Sequence, residues 1–144
     1  MTQERRILVV DDDDAIRALV QTVLRRRGLR VDVARNGIEA MDRIRICRYS
    51  LVVLDLMMPM MSGYEVLDQL GALGQPLRPL VLVLTAGLEP RTFDTSYVIG
   101  TIHKPFDIEL LLDTVMGVLR GTAAAAQHAV DCPPQPETSA EEPN

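Results

Sequence analysis

Lysine is nearly missing from this sequence: Lys104 is the single one, against fourteen arginines. Tryptophan is absent and aromatics make up 3% of the chain, so a core must be built from Val, Leu, Ile and Met within a hydrophobic total of 47%. Two cysteines, Cys47 and Cys132, are too few for a disulfide scaffold. One is expected as a small core or helix residue and the other as a free thiol, which fits a reducing cytosol. No apolar run approaches the roughly 20 residues that a membrane-spanning helix needs. The start, MTQERRILVVDDDD, has a short apolar run that ends in acid, so no signal peptide is expected.

A surplus of positive charge is missing too. The net charge is −5; up to Gly121 there are 15 basic and 16 acidic residues, and Asp131, Glu137, Glu141 and Glu142 supply the rest. The run RRRGLR (25–30) reads as a solvated helix end, so no direct DNA binding is expected. At 144 residues and 16.0 kDa the chain has the size of one domain.

What the sequence does contain is alternation. Short apolar runs at 5–10, 30–34, 51–56 and 80–85, with a weaker one at 98–103, are strand candidates. Between them lie helical stripes. Ile16, Leu19, Val20, Val23 and Leu24 form the first, closed by Arg25–Arg27 and Gly28. Asn36-Gly37 opens a second helix, Ser62-Gly63 a third, and Asp107 can cap a last one. Strands this apolar, alternating with helices, predict a parallel sheet covered on both faces. The helix between the fourth and fifth strands (86–97) is expected to be short or irregular, since Gly87, Pro90 and several Ser/Thr residues interrupt it. Residues 1–121 are read as one domain; 122–144, rich in Ala and Pro and acidic, are expected to be a disordered tail.

In an open parallel sheet, functional groups gather at the carboxyl ends of the strands. Here the first strand runs into Asp11 and Asp12, the third into Asp55, the fourth into Thr85 and the fifth into Lys104. Asp13 and Asp14 read as a helix cap and solvated acid. Two carboxylates about 5 Å apart repel by roughly 3 kcal/mol at an effective dielectric near 20, so three together call for a cation. Hard oxygen ligands suit Mg²⁺. A carboxylate such as Asp55 can attack phosphorus, and phosphoryl transfer then needs in-line positioning and cations. Lys104 could supply one of these, and Thr85 a hydroxyl to a phosphoryl oxygen.

At these residues the chain resembles a response-regulator receiver domain, the phospho-acceptor module of two-component signalling. The matching stretches are ILVVDDDDAIRALV, ARNGIEAM, LVVLDLMMPMMSGYEVL, VLVLTA and HKPFDIELL, in order, over about residues 5–120. The resemblance implies a doubly wound, flavodoxin-like (βα)5 three-layer sandwich with a five-stranded parallel sheet. It makes Asp55 the phosphorylation site, Asp12 a direct Mg²⁺ ligand, Asp11 a ligand through water, and Met57 a ligand through its backbone carbonyl. Thr85 becomes the switch hydroxyl and Lys104 the lysine before a proline that is typically cis. There are two departures. The segment from Thr85 to Lys104 is a few residues short, and Thr101 stands where the family usually carries an aromatic switch. Phe93 and Tyr97 are the candidates to replace it.

The resulting expectation is a stand-alone, cytoplasmic response regulator, phosphorylated by a sensor histidine kinase or phosphotransfer protein and acting on a downstream protein in trans. No separate substrate turnover is expected, and homodimerisation is left open. One alternative is a pseudo-receiver that binds partners without phosphorylation, although such proteins usually lack one of the residues retained here. The other is an aspartyl-phosphate phosphohydrolase, disfavoured because Met57 stands where a second carboxylate is needed. His103 reads as an edge or packed histidine, and the methionines of LMMPMMSG as packing.

Overall fold

The computed structural model describes residues 5–73, 78–87 and 97–121. Five strands run parallel: β1 (Arg6–Val10), β2 (Arg30–Ala34), β3 (Leu51–Asp55), β4 (Leu80–Thr85) and β5 (Val98–His103), in the spatial order β2-β1-β3-β4-β5. The described helices are α1 (Asp14–Arg26), α2 (Gly37–Ile46), α3 (Gly63–Gly71) and α4 (Ile108–Gly121). This is the doubly wound α/β architecture expected from the sequence. The irregular helix expected between β4 and β5, Phe93 with it, and the tail from Thr122 lie outside the described residues.

Strand alternation sends successive side chains to opposite faces. Ile7, Val9, Leu51, Val53, Leu82 and Leu84 meet α1 and α4 through Val20, Leu24, Leu111, Val115 and Leu119. Leu8, Val10, Val52, Leu54, Val81 and Val83 meet α2 and α3 through Met41, Ile44, Val66, Leu67 and Leu70. Because both faces are covered, the strands read as unbroken apolar runs. Within the α1 stripe Leu19 is the exception, half exposed at 48%.

Local signals fix where the helices start. Asp13 caps α1, its carboxylate accepting from the Ala15 and Ile16 N–H groups. Asn36 caps α2, and Ser62 with Glu65 forms a capping box on α3. Asp107 accepts from the Glu109 N–H at the start of α4. Gly28, at φ 86°, takes the left-handed turn that ends α1. Cys47, the C-cap of α2, is buried and disulfide-bonded. That corrects the expectation of unpaired thiols; Cys132 lies outside the described residues.

Candidate functional site

Neighbouring strands bring the acids together. In the β1–β3 ladder Val10 pairs with Leu54, so the next residues, Asp11 just past β1 and Asp55 at the end of β3, stand side by side. Thr85 ends β4 opposite His103, and the Lys104 N–H extends that ladder by donating to the Thr85 carbonyl at 2.7 Å. Lys104 then reaches back over the sheet edge. Its Nζ lies 3.1 Å from Asp11 Oδ2 and 3.3 Å from Asp55 Oδ2. The Lys104–Pro105 peptide bond is cis.

Asp11 is committed at every polar atom. Its N–H donates to the Ala34 carbonyl, Oδ1 accepts from the Asp13 N–H at 2.9 Å, and Oδ2 accepts from Lys104. Its carbonyl accepts from Arg17 Nη1 at 2.8 Å, while Arg17 Nη2 pairs with Asp14. Asp12 is exposed and has no hydrogen-bond partner among the described residues. One oxygen each of Asp11, Asp12 and Asp55 lie within 4.8 Å of one another.

Asp55 is 3% exposed. Burial, and then the charge of Asp11, push its carboxyl up to about 6, against the opposing pull of the Met57 N–H and Lys104. Lys104 is held above the ordinary lysine value: burial works against its charge, but the Asp11 hydrogen bond and both carboxylates outweigh it. Three carboxylates thus cluster beside one ammonium, which contacts Asp11 and Asp55. At 4.8 Å each carboxylate pair repels by about 3 kcal/mol at an effective dielectric near 20. The all-oxygen donor set, with Asp12 exposed and uncommitted, fits Mg²⁺.

The backbone around Asp55 is closely fitted. The Met57 N–H donates to Asp55 Oδ1 at 3.1 Å, which fixes the turn that carries the Met57 carbonyl. A Cβ on Gly63 would lie 2.5 Å from the Asp55 carbonyl oxygen, so only glycine lets α3 start this close to β3. Met60, in the same loop, is a non-glycine residue at φ 65°. Thr85 Oγ1 is buried and lies 3.4 Å from both the N–H and the carbonyl of Gly87.

The sequence-derived residues Asp11, Asp12, Asp55 and Lys104 therefore converge. Thr85 stands on the adjoining strand end, and Met57 is tied to Asp55. His103 and Thr101 are exposed on the edge strand. Tyr97 does not join them. It sits before β5 at the opposite end of the sheet, 4% exposed, its hydroxyl donating to the Leu67 carbonyl and its ring under the Arg78 guanidinium. Two contributors escaped the sequence reading. Arg17 carried only the faint signal of standing three residues after Asp14. Gly63 read as a helix opener, with nothing to show what it approaches.

A flavodoxin-like sheet whose first and third strands end in paired carboxylates faced by a lysine defines a receiver. The chain belongs to that family: residues 7–116 match the response regulator receiver domain model. It is 40% identical over 125 residues to the response regulator MprA of Mycobacterium sp. (strain KMS), covering 82% of this chain and 52% of the relative. The chain thus spans about half the length of the curated relatives it matches. Among solved structures it is similar to the chemotaxis response regulator CheY4 of Vibrio cholerae, with a TM-score of 0.72 and 30% identity over 81% of this chain and 99% of that one. It also matches the response regulator TrrA from Thermotoga maritima in complex with Mg²⁺–BeF, with a TM-score of 0.70 and 33% identity over 80% and 99%. The chain is therefore a two-component signalling module, and its acidic pocket fits Mg²⁺ binding and phosphorylation. No described helix is long and apolar enough to cross a membrane.

Proposed function

We propose that Asp55 accepts a phosphoryl group from a histidine kinase or phosphotransfer protein and that this controls binding to a partner protein. The observation that carries the reading is the Lys104 ammonium within 3.3 Å of both Asp11 and Asp55, in a pocket whose carboxylates outnumber its cations. An Asp55 carboxylate oxygen attacks phosphorus, the phosphorus–nitrogen bond of the donor phosphohistidine breaks, and the imidazole leaves with that electron pair. Lys104 holds one charged phosphoryl oxygen, and the Thr85 hydroxyl, released from Gly87, donates to another. Such a bond to a charged group is worth about 1.5–3 kcal/mol.

Asp12 and Asp55, the Met57 carbonyl and, through water, Asp11 would hold Mg²⁺, which supplies positive charge to the transferring group when bound. Residues 1–121 form the acceptor module, which assists its own phosphorylation and dephosphorylation and turns over no separate substrate. Every residue that the family resemblance assigns to phosphorylation is present in the sequence, which favours this reading over a pseudo-receiver. We place the module in the cytoplasm, acting in trans.

Incubation of the chain with acetyl phosphate and Mg²⁺, followed by intact mass measurement, tests the chemistry. One phosphoryl group is expected on the wild type and none on Asp55→Asn or without Mg²⁺. Equal uptake by Asp55→Asn would refute the assignment.

A further inference from the structure

The fold sorts charge in a way the linear sequence conceals. Arg25–Arg27 close α1, Arg43 and Arg45 close α2, and Arg120 lies in the last turn of α4. Arg5, Arg6, Arg30, Arg48 and Arg78 stand where β1 to β4 begin. Eleven of the fourteen arginines are thus at the N-terminal edge of the sheet; of the others, Arg17 and Arg35 lie at the opposite edge and Arg91 outside the described residues. Among the described residues the acids near this edge are Asp32, Asp42 and Asp68, Asp113 lies midway along α4, and Asp11–Asp14, Glu39, Asp55, Glu65, Asp107 and Glu109 lie at the phosphoryl-acceptor end. A domain that is nearly neutral by count is a charge dipole in space.

The chain also supplies a matching polyanion. Residues 122–144 contain Asp131, Glu137, Glu141 and Glu142 and neither lysine nor arginine. They follow directly on α4, which ends at Gly121 on the arginine edge. A coil of this length spans on the order of 25 Å, and five strands at about 4.8 Å spacing make an edge roughly 20 Å wide. Tethering gives such a segment an effective concentration in the millimolar range.

We infer that the acidic segment 122–144 docks on the arginine edge of its own domain, with the exposed Arg26 and Arg27 among its partners. The acidic phosphoryl-acceptor edge repels the same segment, so docking keeps it clear of that site. An external polyanion such as duplex DNA is the competing occupant. The tethered segment is favoured because it needs no second molecule and carries no cation.

The test compares amide and arginine side-chain NMR spectra of the full chain with those of D131N/E137Q/E141Q/E142Q, under reducing conditions so that charge alone is read. Resonances at 25–30 and 43–48 are expected to differ between the two at low salt, and more than half of that difference to vanish near 0.5 M NaCl, where screening is strong. R26Q/R27Q, at exposed positions, should lose much of the same difference. Differences confined to residues 122–144 would overturn the inference. A short DNA duplex is expected to bind the tail variant several-fold more tightly than the wild type. Equal affinity for both would show that the segment does not occupy the edge and assign it to nucleic acid.

Discussion

Asp32 and Asp55 are buried to nearly the same depth in one sheet, 6% and 3% exposed, yet their surroundings drive them in opposite directions. Burial raises the cost of charge at Asp32. The Tyr49 hydroxyl at 2.6 Å and the Arg43 guanidinium at 2.8 Å outweigh it, with Arg6 at 3.3 Å, and hold this carboxyl below its ordinary value. Burial, and then the same carboxylate, push the Tyr49 phenol up. Asp55 shares one ammonium with Asp11 and rises to about 6. Two guanidiniums for one acid make a settled structural cluster; one ammonium for three acids leaves a pocket with affinity for a further cation. The difference between a structural and a reactive carboxylate here lies in the ratio of partners, not in burial.

The largest effect that sharpens this contrast is expected from Arg43→Met, which keeps the volume and removes the guanidinium. Breaking a buried ion pair from one side costs about 3–5 kcal/mol, and the remaining Arg6 and Tyr49 contacts place this case near 3 kcal/mol. Urea unfolding should show the loss in midpoint at constant slope, while phosphoryl uptake per folded molecule stays unchanged. A loss below about 1 kcal/mol would mean that Asp32 is no more dependent on its cations than Asp55 is.

Asp55→Asn should have the opposite sign. With a folded pKa of about 6 against the ordinary 3.8, the native state holds this proton more tightly than the unfolded chain. Wild-type stability therefore falls as pH rises from about 4 to 6, and the strain persists above that window. Removing the charge should stabilise the metal-free protein at pH 7.5 by on the order of 3 kcal/mol and flatten that slope. Lys104 keeps its Asp11 contact in the variant. Asp32 contributes in reverse: its stabilisation is present above the unfolded carboxylate value and is lost as pH falls below it. Excess Mg²⁺ should erase the advantage of Asp55→Asn by restoring stability to the wild type. If the variant is less stable than the wild type at pH 7.5 without metal, Asp55 is as settled as Asp32 and the contrast fails.

How much of this was visible in the residues follows from the range of the forces involved. All five strands were legible because their apolar runs are bounded by polar loops, and the caps Asp13, Asn36 and Ser62 act within three residues. Asp11, Asp12, Asp55 and Lys104 were legible because each stands at or just past the carboxyl end of a strand, and sheet topology does the rest. The Asp32 cluster was not. RVDVA reads as a strand whatever its middle residue does, and the partners arrive from the end of α2 and the loop before β3. The charge dipole was hidden for the same reason. RRRGLR looks like one solvated helix end until the winding of the fold sets seven further arginines around the same edge.

The smallest expected effect separates the two ends of the sheet. Tyr97 was a candidate for the missing aromatic switch at Thr101, but it stands opposite the start of β4, its carbonyl accepting from the Val81 N–H at 2.8 Å. Thr85 lies at the other end of that strand, about 13 Å away at roughly 3.3 Å per residue. Tyr97→Phe removes one buried hydrogen bond, to the Leu67 carbonyl, and keeps the ring under Arg78. The cost should be about 1 kcal/mol, plus the penalty of an unpaired carbonyl where water cannot reach it. Phosphoryl uptake and phospho-dependent partner binding should not change, because the loops that respond lie at the carboxyl edge. A Tyr97→Phe chain that folds and takes up phosphate normally but loses phospho-dependent binding would join the two ends mechanically, and the N-terminal edge could no longer be read as purely structural.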